Sequence, residues 1–139
     1  MADERRGLNY AATRSDLDAG RVAYVAWSAG DSFELCLPAI ETRYRSVILH
    51  GAGLHQFHTR LLPEINPINL VQYIRAPKLL LHGRYDETTP LKSAAEPLQK
   101  LLRGPKRVVL YDGGHAVPAE VYVPAINGWL DETLGPVRR

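Results

Sequence analysis

Four short apolar runs organise the chain, at 21–27, 45–50, 78–82 and 106–111, each closed by a glycine or a polar turn. Arg21–Trp27 is apolar at nearly every position instead of alternating, which predicts a strand buried on both faces. Ser46-Val-Ile-Leu-His50 and Lys78–His82 read the same way. Between the runs the apolar period lengthens to that of a helix. A short helix is expected over 8–13, and another over 28–37 with Phe33, Cys36 and Leu37 toward the sheet and Pro38 limiting its length. Thr89-Pro90 reads as an N-cap and first helical residue. That helix carries Leu91, Ala94, Ala95 and Leu98, is kinked or split by Pro97, and stops at Gly104-Pro105. The last helix covers about 120–134, with Ile126, Trp129, Leu130 and Leu134 on one face. Residues 52–76 are broken by Gly53, Pro63, Asn66, Pro67 and Asn69.

Strands that alternate with helices and are buried on both faces mean a three-layer α/β/α sandwich around a mainly parallel sheet of about four strands. The expected organisation is a flexible, polar N-terminus over 1–7 and one domain over 8–137. At 139 residues the chain is long enough to bury a core. Net charge is only +2, with both signs mixed along the chain, which argues against nucleic-acid binding. Arg138 and Arg139 read as a solvated tail. No apolar run approaches the roughly 20 residues of a membrane span, and the N-terminus has no apolar leader. The single cysteine, Cys36, rules out an intrachain disulfide and reads as a core residue. Together these predict a cytoplasmic protein.

The chemistry begins where the first strand ends. Ala26-Trp27-Ser28-Ala29-Gly30 has the small-x-Ser-x-Gly form of a nucleophile elbow, in which strand and helix approach so closely that only small neighbours fit. The same residues also fit a serine that caps a helix. Asp86 and His115 lie just past the ends of two other strands, and parallel sheets gather their sites at the carboxyl ends of strands. His50, His55 and His58 offer a zinc reading through the His-x-x-His pair, and a plainer one as polar residues near a pocket rim. His82 reads as a histidine packed under the site and bonded to backbone. Asp112 is the other candidate acid, too close to His115 in a tight turn for an easy approach.

Over residues 8–137 the chain resembles the C-terminal half of the α/β-hydrolase superfamily. The resemblance rests on the Ala26–Gly30 elbow, on Leu80-Leu81-His82-Gly83-Arg84-Tyr85-Asp86, and on Gly113-Gly114-His115, in that family's order of Ser, Asp, His. Trp27 beside the serine and Leu37-Pro38-Ala39 after it look most like the prolyl-oligopeptidase and acetyl-xylan-esterase-like branches. The resemblance implies a serine esterase acting on short-chain or activated esters through Ser28, His115 and Asp86. It further implies the Ala29 backbone N–H as an oxyanion donor, and no cofactor or metal. Trp27, His50 and Tyr85 are the candidate pocket residues. A catalytically weak half-domain that serves as a binding or assembly module is the alternative.

Two positions depart from the pattern. Ala26 stands where glycine is usual. Asp31 stands where a second glycine is common, putting a carboxylate in the first helical turn, where the dipole favours it but where it also stands to compete for His115. The first half of the family core, with its strands and its second oxyanion donor, has no counterpart here. The strand at 21–27 therefore becomes a sheet edge with no proline and no interior charge. Such an edge templates association, and pairing with its own copy to form a homo-oligomer is the expected outcome.

Overall fold

The computed structural model describes residues 2–28 and 32–137. Four strands, β1 (Ala23–Trp27), β2 (Ser46–His50), β3 (Lys78–Gly83) and β4 (Lys106–Tyr111), form one sheet in the order β1-β2-β3-β4, parallel throughout. The register sets Trp27 beside His50, and His50 beside Leu81. All carboxyl ends therefore emerge on one edge of the layer.

The strand alternation sorts side chains to two cores. On one face Val47, Leu49 and Leu80 join Leu35 of helix α2 (Ser32–Ile40), Val71 and Ile74, and Leu98 of helix α4 (Glu96–Leu101). On the other face Ile48, Leu79 and Leu81 meet Ile126 and Trp129 of helix α5 (Ala119–Leu134). Val47, Ile48 and Leu49 have no exposed surface. Each such side chain contributes about 1.5–3 kcal/mol of transfer free energy, which makes β2 the anchor of both layers.

Several expectations shift. Helix α1 runs over Ala2–Ala11 rather than 8–13, so the first residues are helical. It docks through Leu8 onto Leu37 and Tyr44. Helix α2 continues two residues past Pro38, whose ring sits near the helix end, where few following turns depend on it. Cys36 is buried, as expected, and its thiol lies 3.5 Å from the Ile65 carbonyl. The side chain of Phe33 is outside the described residues, as are Ala29, Gly30, Asp31, Arg138 and Arg139.

Thr89 caps nothing with its hydroxyl; the first helical carbonyl is that of Pro90, which accepts both Ala94 N–H and Ala95 N–H. This widened turn over Leu91–Ala95 gives way to α4, and Pro97 marks the split because it has no N–H for the ladder. The 52–76 segment holds single helical turns at 56–60, 63–65 and 71–73 and a four-residue helix α3 (Pro67–Leu70), capped by the Asn66 side chain on Ile68 N–H at 2.9 Å. No helix among the described residues is long and apolar enough to cross a membrane.

The largest departure is β1. Ala26 is buried, but Val25 is 49% and Trp27 62% exposed. Helix α5 packs on β2 and β3 and stops short of β1, so one face of the edge strand is bare.

A buried carboxylate paired with two exposed arginines ties α1 to the turn before β2. Glu41 is 4% exposed and accepts from Arg43 at 2.8 and 2.7 Å and from Arg5 at 3.2 Å. The Arg43 guanidinium holds its carboxyl at about 2, well below the usual 4.5. A carboxyl held low in the fold stabilises it above its unfolded value, and that contribution fades as pH falls from about 4.5 toward 2. Thermal unfolding of the wild type should therefore lose stability through this acid window. Glu41→Gln should be less stable at neutral pH and lose a smaller increment on acidification.

Gly83 ends β3 where the backbone carbonyls of Gly113 and Gly114 cross it, and a Cβ there would overlap both. Gly83→Ala should cost about 1–3 kcal/mol by overpacking. Gly7→Ala, in open space on α1, should instead be neutral or stabilising by up to about 1 kcal/mol. Paired thermal melts test both.

Candidate active site

Ser28 follows directly from β1 and is the one described non-glycine residue with positive φ, at 68°. A left-handed backbone costs an L-residue about 1–2 kcal/mol, so the turn persists only because its surroundings hold it. The Ser28 N–H donates to the His50 carbonyl at 2.7 Å, continuing the β1–β2 ladder into the turn. An N-cap residue has extended backbone, so the Ser28 conformation is not that of a helix cap. The Ala29 N–H lies outside the described residues.

Asp86 sits three residues past β3, in a turn closed by its N–H on the Gly83 carbonyl. Its side chain has no exposed surface. Oδ1 accepts the Thr89 N–H at 2.8 Å and Oδ2 faces His115 Nδ1 at 2.7 Å. His82, also buried, places Nε2 2.8 Å from the Thr89 carbonyl and 3.7 Å from Asp86 Oδ2. With the proton on Nε2, His82 donates to Thr89, the same residue whose N–H orients Asp86. This is the backbone-bonded histidine the sequence suggests. Asp112 is turned away and pairs with Arg84 at 3.0 Å in solvent.

His115 leaves β4 through Gly113-Gly114. The loop is fixed from three sides: Tyr85 N–H donates to the Gly113 carbonyl at 3.0 Å, Tyr111 Oη donates to the Gly114 carbonyl at 2.8 Å, and Gly51 lies against the ring. Gly51 has φ +60°, and a Cβ on it would come within 2.9 Å of His115 Cε1, so conformation and space both demand glycine. With its Nδ1 proton directed at Asp86, the imidazole presents Nε2 as an acceptor, 2.9 Å from Ser28 Oγ. Three side chains from three strand ends thus form one hydrogen-bonded line.

Beside this line lies a cleft of about 330 Å³ bounded by Val25, Trp27, His50, Val117 and Tyr122. His50 is buried, stacked on Trp27 with ring centroids 5.4 Å apart, and tilted against Tyr122. Burial, then the nearby His115, pushes its pKa down, so the ring stays neutral. Its Nε2 is buried and has no hydrogen-bond partner. Tyr85 is 70% exposed and does not line the cleft; its contribution is the backbone bond to Gly113.

Sequence reasoning missed Thr89, Tyr111 and Gly51 as supports and Val117 and Tyr122 as walls. Gly51 was legible only as the end of a strand. Tyr111 carried no signal beyond its strand position. The three histidines of 50–58 do not converge: His58 Nδ1 accepts the His55 N–H at 2.9 Å, while His50 belongs to the cleft. Among the described residues no group of three or more His, Cys, Asp or Glu is placed to hold a metal ion.

No protein-family model matches the chain, and no curated protein matches it. Solved structures do. A cold-adapted esterase from an Arctic intertidal metagenomic library superposes with a TM-score of 0.71 at 24% identity, over 96% of this chain and 57% of that one. An acetyl xylan esterase from Paenibacillus sp. R4 gives 0.72 at 20% identity, over 93% and 50%. The 2,6-dihydroxy-pseudo-oxynicotine hydrolase gives 0.74 at 18% identity, over 94% and 45%. The chain thus spans about half the length of the structures it matches. Its parallel sheet and flanking helices have the α/β-hydrolase-like fold, of which this chain spans about half.

Proposed function

We propose that the chain is a serine hydrolase acting on short-chain or activated carboxylic esters. The observation that carries this reading is the continuous line from Asp86 through His115 to Ser28, with contacts of 2.7 and 2.9 Å. A serine hydroxyl is a poor nucleophile until a base removes its proton. In this scheme His115 Nε2 takes the Oγ proton as Oγ bonds to the ester carbonyl carbon, and Asp86 stabilises the resulting imidazolium. The tetrahedral intermediate collapses as the alkoxide leaves, taking the proton back from His115. Water, deprotonated by the same imidazole, then releases the acid from Ser28 Oγ.

The Ala29 N–H is the proposed oxyanion donor. A second donor does not come from Gly51, whose N–H is bonded to the Leu81 carbonyl. An oxyanion donor is worth about 10²–10³ in turnover, and activated esters depend on it less than peptide amides do. The apolar cleft suits a small acyl or alkyl group. Burial raises the Cys36 thiol to about 11 and leaves it inert. A second reading is a binding or assembly module with little turnover.

Hydrolysis of p-nitrophenyl acetate and butyrate separates the two. The wild type should turn over both, and Ser28→Ala should fall to the buffer rate. Equal rates in the two proteins would favour the binding module. Asp86→Asn keeps an acceptor for Thr89 N–H but presents an amide N–H to His115, forcing the wrong tautomer. It should lower kcat by about 10²–10⁴ with little change in KM.

A further inference from the structure

Asp86 stands on a turn, so its aim at His115 depends on what ties that turn to the sheet. The tie is a closed set of contacts among His82, Asp86 and Thr89. His82 lies in β3, in register with Leu110 of β4. Strand alternation sets it on the face of Leu80, the side on which Leu98 packs. Its ring is buried, with Nε2 2.8 Å from the Thr89 carbonyl. A carbonyl oxygen only accepts, so Nε2 carries a hydrogen whatever the charge of the ring. The same Nε2 lies 3.7 Å from Asp86 Oδ2, the oxygen that faces His115 Nδ1 at 2.7 Å.

Thr89 has no exposed surface, and its hydroxyl has no partner. Two backbone bonds hold it instead: its N–H donates to Asp86 Oδ1 at 2.8 Å, and its carbonyl accepts from His82. Pro90 follows, so the peptide link after Thr89 has no N–H, and the carbonyl is its one hydrogen-bonding group. A buried carbonyl deprived of its donor is driven toward another partner. Any such movement of the Thr89 backbone moves the N–H that orients Oδ1, and with it the angle at which Oδ2 meets His115.

We propose that His82 is a positioning residue for the triad, an inference that rests on the hydrolase reading. Its N–H, delivered from a strand buried from end to end, fixes Thr89 and so aims Asp86 at His115 Nδ1. With 2% of its surface exposed, His82 is out of reach of a substrate and acts through Asp86. Packing is the competing explanation, since Thr89 lies so close to Gly53 that a Cβ there would overlap its methyl group. Packing is non-directional, however, whereas directed bonds set the orientation of a carboxylate.

Two readouts test the proposal: p-nitrophenyl acetate kinetics, and the proton NMR signal of His115 Nδ1–H. That signal lies far downfield of the amides and is assigned by its loss in Asp86→Asn. His82→Leu removes the donor, and His82→Gln returns an N–H to the place of Nε2. His82→Leu should lower kcat by about 10–10²-fold with KM within about twofold, and should shift or broaden the downfield signal. His82→Gln should restore most of both. Leu102→Ala opens a cavity before the start of β4, at the opposite end of the sheet, and should lower the melting temperature while leaving both readouts unchanged. Nitrogen-15 shifts of the wild type add a check that needs no variant to fold: His82 should carry its hydrogen on Nε2. Wild-type kcat and signal in His82→Leu, a loss shared equally by His82→Gln and Leu102→Ala, or a His82 protonated on Nδ1 alone would each overturn the proposal. If the wild type hydrolyses nothing, the hydrolase reading falls, and the downfield signal still decides whether His82 aims Asp86.

Discussion

A carboxylate with no exposed surface, Asp86, organises the working end of this fold. An ionised group withdrawn from water is costly unless hydrogen bonds replace its hydration. Here the Thr89 N–H and His115 Nδ1 supply them at 2.8 and 2.7 Å. Thr89 is in turn held by His82, and His115 by the Gly113-Gly114 loop, the Tyr111 hydroxyl and the close approach of Gly51. The position of the imidazole is thus over-determined from β2, β3 and β4, and only Ser28 comes from β1. Such redundancy lets a strained serine backbone persist at the end of an edge strand.

Much of this was legible in the residues. The four strands fell where the apolar runs placed them, although only β2 and β3 are buried on both faces. Ser28, Asp86 and His115 were legible because each follows a strand end, and parallel register brings strand ends together. The bare face of β1 was not legible: its composition is that of a buried strand, and only the reach of α5 shows that one face is uncovered. Thr89 was misread for a related reason. Thr-Pro is a good capping pair, but here the threonine backbone serves Asp86, and its hydroxyl bonds nothing. The supports contributed by Gly51 and Tyr111 depend on contacts across strands that no local pattern encodes.

The weakest part of the sheet lies beside its chemistry. β2 and β3 are buried from end to end, while β1 offers an uncharged edge and an exposed indole beside the serine. The serine and the wall of the cleft that Val25 and Trp27 form therefore rest on the least covered strand of the sheet.

The central claim is that the Asp86–His115 pair makes Ser28 a nucleophile. A fluorophosphonate probe reacts with activated serines and leaves ordinary ones untouched, and peptide mass spectrometry locates the adduct. The account predicts one adduct per chain, on Ser28, that disappears when the protein is unfolded before labelling. An unlabelled native protein, or label spread over Ser15, Ser46 and Ser93, would contradict it.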